Sequence, residues 1–180
     1  MGQTREVQQL LAILDQSYDR RSWHGPNLRG SIRGVAPAQA AWRPAPVRHN
    51  IWEIVVHAAY WKYAVWRRLA GGVRGSFPLE GSNWFRRPED TSATAWRADI
   101  ALLEQMHRSL RGAVETLPAN ALDRAPMPGN PSSGGVRTGA SPGGETAFSL
   151  ISGVAAHDVY HAGQIQLLKR LSGESGEMPG

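Results

Sequence analysis

The sequence predicts an all-α fold, a bundle of four amphipathic helices. Three observations point to it. Four segments carry apolar residues at three- and four-residue spacing, helix start or stop residues bound them, and no stretch alternates convincingly as a strand does. Stripes of this kind can be buried only against one another.

The first segment, Thr4 to Arg20, places Val7, Leu10, Leu11, Leu14 and Tyr18 on one stripe. The second opens on Asn50-Ile51-Trp52-Glu53, which has the form of a capping box built on Asn. It runs through Val56, Tyr60, Tyr63 and Ala64 to Leu69 before Gly71-Gly72. Ser92 can cap the third, whose stripe is Trp96, Ile100, Leu103, Leu110, Val114 and Leu117 until Pro118 stops it. The fourth begins near Thr146, after Pro142-Gly143-Gly144, and continues through Phe148, Leu150, Ile151, Val154, Ile165, Leu168 and Leu171 to Gly173. Trp52, Trp61, Trp66 and Trp96 read as core aromatics, and Trp61 can also wall a pocket.

The connections are long. About 21 residues separate the second and third helices, enough to reach on the order of 70 Å when extended, so a crossover that leaves these two helices parallel is open to the chain. Between the first two helices lie Trp23-His24-Gly25-Pro26, a stretch that can form a short helix, and a Pro-rich run from Pro37 to Pro46. Long loops on a rigid bundle often build or cover a site. Ala125 to Gly144 is rich in Gly, Pro and Ser and is expected to be mobile. Residues 1–171 are expected to form one domain, with 172–180 as a frayed tail.

At 180 residues and 41% hydrophobic content the chain suits one soluble globular domain. It contains no cysteine, which excludes disulfides, iron–sulfur clusters, thiolate zinc sites and a cysteine nucleophile. The polar start lacks the form of a signal peptide, Glu6 stands where a myristoylation motif needs Ser or Thr, and no apolar run spans a bilayer. A cytoplasmic protein without a membrane partner is the expectation. The net charge is +5, but the arginines are scattered, which argues against a nucleic-acid partner.

The chemistry concentrates at His157-Asp158-Val159-Tyr160-His161, in the fourth helical stretch, and at His57 in the second. Imidazoles four residues apart on a helix face the same way about one turn apart, so a third from a neighbouring helix completes a site for a divalent metal. A lone His-x-x-x-His is not specific, and His57 taken alone reads better as a core histidine bonded to a backbone carbonyl or a solvated partner. No glycine-rich phosphate loop, Gly-x-Ser-x-Gly elbow or His-Glu-x-x-His is present.

Asn50-Ile51-Trp52-Glu53 leading to His57-Ala58-Ala59-Tyr60-Trp61, followed by His157-Asp158-Val159-Tyr160-His161-Ala162-Gly163-Gln164-Ile165, closely resembles the DinB-like superfamily, which includes the YfiT-type proteins. Trp23-His24-Gly25-Pro26 and Trp42-Arg43-Pro44 extend the resemblance over nearly the whole chain. It implies a four-helix bundle of up-down-down-up topology, often a homodimer, with a divalent metal on three histidines, here His57, His157 and His161. Zinc and nickel lead among the metals, with iron and manganese also compatible. Some relatives transfer low-molecular-weight thiols such as bacillithiol or mycothiol, or isomerise their adducts, and others are described as hydrolases. The expectation is a metal-dependent enzyme that activates a small thiol for S-transfer onto a small-molecule substrate. The alternatives are a metal-dependent hydrolase and a non-catalytic, stress-related dimeric binding protein.

Three neutral imidazoles leave a bound cation with an open position, as in catalytic sites. They do not choose among the metals. Glu53, one turn before His57, can orient that ring or reach the metal, or can serve only as a helix cap. Asp158 points about 100° away from His157 around the helix, which suits a supporting or ion-pair role. Gln164 and Tyr160 share the ligand face and can orient substrate or pack against a neighbour. His24 can act as a general base or extra ligand, or remain an exposed loop histidine. His49 reads as a loop residue beside a cap and His107 as a partly exposed helix residue.

Overall fold

The computed structural model describes residues 4–72, 75–126 and 145–174. Along them run α1 (Arg5–Tyr18), α2 (Leu28–Ser31), α3 (Pro37–Ala41), α4 (Ile51–Ala70), α5 (Ala93–Glu115), a 3-10 turn (Ala119–Ala121) and α6 (Ala147–Glu174), with no strand among the described residues.

The ends follow local chemistry. Asn50 Oδ1 accepts from the Glu53 N–H at 2.7 Å to start α4, and Gly71 closes it in the left-handed region at φ 67°, where a side chain would be strained. Ser92 Oγ accepts from the Ala95 N–H at 3.1 Å to start α5. The first N–H groups of α6 are satisfied by the segment after the 3-10 turn: Ala147 donates to Arg124 O and Phe148 to Leu122 O, both at 3.0 Å.

The Pro-rich run carries α3, because Pro37 occupies the first helical position, where its missing N–H costs nothing. The fourth helix continues three residues into the expected tail, to Glu174. The rest of that tail, 175–180, and nearly all of the segment expected to be mobile, 127–144, lie outside the described residues.

The long helices pack in a ring, with α4 against α5 and α6, and α1 against α6 and α5. Trp52 near the start of α4 bonds Asp99 near the start of α5, while Val65 shares an apolar cluster with Leu110 and Val114 towards their ends. These two helices therefore run the same way. Likewise Val7 and Leu10 of α1 cluster with Leu150 and Ile151 at the start of α6. Those members lie at the start of α6 while Val65 lies late in α4, so α6 runs opposite to α4. No helix of the described residues is long and apolar enough to cross a membrane.

One apolar cluster gathers the first halves of α4 and α5 with α2, α3 and the segment after α4. The other gathers α1, the ends of α4 and α5 and the start of α6. Between them sits a polar layer. Lys62 of α4 and Asp158 of α6 form an ion pair with both side chains fully buried, and the Lys62 ammonium lies 4.8 Å from the Tyr18 ring centre. His107 is buried and stacked on Tyr18 with ring centres 3.7 Å apart, not partly exposed as its polarity suggested. Burial, joined by the nearby Lys62 charge, drives the His107 imidazole down to about 2.

Two consequences are measurable. His107 stays neutral in the fold but takes up a proton in the unfolded chain below about pH 6.5, so stability falls as pH drops through that value. Between pH 7 and pH 5 the native chain should lose about 2 kcal/mol more than His107→Phe does, read by denaturant unfolding. A Lys62→Met variant should lose about 3–5 kcal/mol by stranding the Asp158 carboxylate, and Lys62→Met with Asp158→Leu should regain most of it.

Candidate metal centre

From Ile51 to Ala59 every residue of α4 is buried, so His57 is carried inside the bundle and not on its surface. On α6, His157 and His161 face it across one turn. His157 Nε2 lies 3.1 Å from His57 Nε2 and 3.0 Å from His161 Nε2. All three ligand atoms fall within 4.8 Å of one another. Two nitrogens bound to one ion at about 2.0–2.1 Å are separated by roughly 3–3.5 Å, so the spacing fits a shared cation.

The opposite ring nitrogens explain why these atoms face inward with free lone pairs. His57 Nδ1 donates to the Asn83 carbonyl at 2.7 Å, and His161 Nδ1 donates to Gln164 Oε1 at 2.7 Å. Each bond places the ring proton on Nδ1 and leaves Nε2 as an acceptor. Gln164 is fixed in turn by its own Nε2–H bond to the Tyr160 hydroxyl at 2.9 Å. His157 Nδ1 is buried without a hydrogen-bond partner.

Burial and mutual repulsion keep the rings uncharged. Desolvation pulls His57 down to about 4 against the opposing Asn83 bond, and desolvation with the charges of His161 and His57 takes His157 to about 3. Burial also lowers His161, although Gln164 opposes it. At neutral pH the site therefore presents unprotonated imidazoles, the form that binds metal.

The segment after α4 supplies the rest. Phe77 and Phe85 are buried against Tyr60, and the Ser76 N–H bonds the Tyr63 hydroxyl at 3.0 Å, so this segment is tied to α4 at both ends. Between the anchors the chain turns through positive φ at Gly81 (105°) and Asn83 (67°), the second an unusual backbone state that Asn tolerates better than most residues. That turn aims the Asn83 carbonyl at His57, while its side-chain oxygen accepts from Trp61 Nε1 at 3.1 Å. Trp84 follows and stacks on His57 with ring centres 3.7 Å apart and on His49 at 3.6 Å, nearly parallel to both, so the indole lies between the two imidazoles.

Of the side chains singled out in the sequence, the structure brings together His57, His157, His161 and Gln164. Tyr160 and Trp61 flank them at the exposed edge. Glu53 is turned elsewhere. Its carboxylate takes two bonds from Arg43 at 2.5 and 2.8 Å, one from His49 at 3.0 Å and one from the Arg87 N–H at 3.3 Å. Burial pushes that carboxyl upward, but these partners outweigh it and hold it below its usual value. The acceptor for His57 is the Asn83 carbonyl, and the Glu53 carboxylate does not close the expected capping box.

His24 is exposed and lines a groove of about 210 Å³ between α1 and α6 with Ile13 and Val159, apart from the three histidines. Asp158 points away from the ligand pair to Lys62, as its place on the helix required.

A family model described as the DinB superfamily matches residues 20–165. The chain belongs to the DinB superfamily. The match takes in α2 to α5 and α6 as far as Ile165, including all three histidines, so the DinB-superfamily chain carries its histidine cluster within the shared region. No curated protein and no solved structure matches the chain.

Neither Asn83 nor Trp84 is marked by a pattern in the sequence. Asn83 acts on His57 through a carbonyl every residue has, and Trp84 lies outside any helical period; the turn-forming Gly81-Ser82-Asn83 was the only local signal.

Gln164→Leu removes the acceptor that orients His161 and should weaken metal binding about 10–100-fold, with Gln164→Glu much closer to the native chain. Competition against a chelator reads the affinity and circular dichroism the fold. Equal affinity in Gln164→Leu would show that the amide does not orient the ring.

Proposed function

We propose that the protein is a metal-dependent S-transferase, an enzyme that joins the sulfur of a small thiol to an electrophilic carbon, the thiol giving up its proton and the carbon its leaving group. The observation that carries this reading is the convergence of three imidazole Nε2 atoms, two of them held in the ligand tautomer by Asn83 and Gln164. A divalent cation on these residues supplies a Lewis acid that lowers the pKa of a thiol so that thiolate forms near neutral pH.

The chain's own residues prepare that chemistry in three ways. Their burial keeps the imidazoles neutral and the ligand lone pairs free. Trp61, Trp84 and Tyr160 line the approach with aromatic surface, which shelters a reactive sulfur from water while leaving His157 partly exposed to incoming substrate. Gln164 fixes His161 and is itself fixed by Tyr160, so the ligand rings need little rearrangement on binding. The chain contains no cysteine, so in this reading the nucleophilic sulfur comes from the co-substrate.

The test begins with the metal content of the purified protein and continues with conjugation of cellular low-molecular-weight thiols to a reactive electrophile, followed by the loss of free thiol. Turnover should require metal, disappear with a chelator and fall at least 100-fold in His161→Ala while helicity is retained. Conjugation that survives complete metal removal is incompatible with this reading. Metal-dependent ester cleavage without thiol conjugation would assign the site to hydrolysis instead.

A further inference from the structure

We propose that a second site, a cavity of about 520 Å³ on the far side of Trp84 from His57, binds a small carboxylate or phosphate oxyanion. The cavity lies where the segment before α4 meets the segment leading to α5. Four arginines line it: Arg43, Arg48, Arg86 and Arg87. None of the three clustered histidines does, so the site stands or falls separately from the metal reading.

The arginines divide by their partners. Arg43 is neutralised by two bonds to Glu53, and Arg87 by bonds to Asp99 at 2.7 and 2.9 Å. Glu89 reaches only the outer nitrogen of Arg87, at 3.7 Å, from an exposed position. These two guanidiniums are held rigidly as part of the wall. Arg48 and Arg86 are exposed and have no carboxylate partner among the described residues, although both line the same concavity. The one carboxylate facing the cavity, Glu53, is already saturated by Arg43, His49 and the Arg87 N–H, and is held in its ionised form. The cavity wall thus carries two guanidiniums without a carboxylate partner among the described residues, while the one carboxylate that faces it is already engaged.

Guanidinium forks match the geometry of carboxylate and phosphate oxygens, and an oxyanion is the ligand that completes this arrangement. The volume falls within the range of small-molecule sites. Trp84 and Phe85 give the lining an apolar part against which the carbon frame of an organic anion can rest.

The test uses the full-length protein at constant ionic strength, titrated by calorimetry with inorganic phosphate and, separately, with succinate. The expected result is saturable binding of one anion per chain, with the preference between the two probes telling a phosphate from a dicarboxylate ligand. Binding should weaken at least tenfold in the double variant R48Q/R86Q and stay unchanged in R108Q, which alters an exposed arginine on α5. It should also persist in His161→Ala; loss there would place the anion on the metal site and overturn the proposal. Saturation by neither probe, or equal binding by R48Q/R86Q, would also overturn it. A second measurement needs no variant: phosphate or succinate should slow phenylglyoxal modification of Arg48 and Arg86 but not of Arg108, and uniform modification would contradict the site.

Discussion

The register between α4 and α6 is the constraint on which the rest of this structure depends. It is keyed by the Lys62–Asp158 pair, buried on both sides. Asp158 immediately follows His157, and Lys62 lies five residues after His57. Once the carboxylate is turned into the bundle towards the ammonium, the two imidazoles of α6 are aimed at the level of α4 that carries His57. Turning α6 by one residue, about 100°, would expose the carboxylate and swing both imidazoles out of line. Only ionisable groups enforce this so strongly, because a misplaced apolar pair loses contacts while a misplaced buried ion loses its sole compensation. Burial depresses the Lys62 ammonium and raises the Asp158 carboxyl, and each is held against desolvation chiefly by the other, with the Asp19 charge also favouring the ammonium and Ser17 the carboxylate. The pair adds little net stability for that reason, and its contribution is to specify one packing of two helices.

The histidine cluster faces the same desolvation and meets it differently. Three rings this close cannot all carry protons, and burial forbids even one charge at low energetic cost. The neutral state then requires a choice of tautomer at each ring. Asn83 and Gln164 make that choice for two of them. One acceptor comes from α6 itself, three residues beyond His161, and the other from a loop that leaves α4 and folds back along it. Without that fold-back His57 would turn its ring towards whatever acceptor lay nearest, and the convergence of Nε2 atoms would not be specified.

These two origins account for what the sequence disclosed. Residues that act through helical spacing were legible. The apolar stripes of α1 and α5, the caps at Asn50 and Ser92, the stop at Gly71 and the pairing of His157 with His161 are all consequences of a 3.6-residue repeat or of local bonding. The convergence of His57 on them was legible only through resemblance, since nothing in spacing brings together residues a hundred positions apart. The bonding of the Glu53 carboxylate was not legible, because the capping pattern is local, whereas the partner that captures it, Arg43, reaches in from the preceding loop. His107 was misjudged for the opposite reason. It lies four residues after Leu103 and three before Leu110, squarely on the buried stripe, and its polar character obscured a position that periodicity had marked.

Trp84 ties the loop to both the helix cluster and the arginine cavity. One face of its indole lies on His57, the other on His49, which in turn bonds Glu53. Each stacked contact is worth about 0.5–1.5 kcal/mol beyond the area it buries. The loop cannot slide by even one residue without giving up both contacts and the Asn83 carbonyl that fixes His57. The helices therefore carry the three clustered imidazoles, but the loop decides how they are presented and what lies beside them. In a bundle whose rods are set by repeat and register, chemical individuality accumulates in that non-periodic segment, which is also where the sequence is hardest to read.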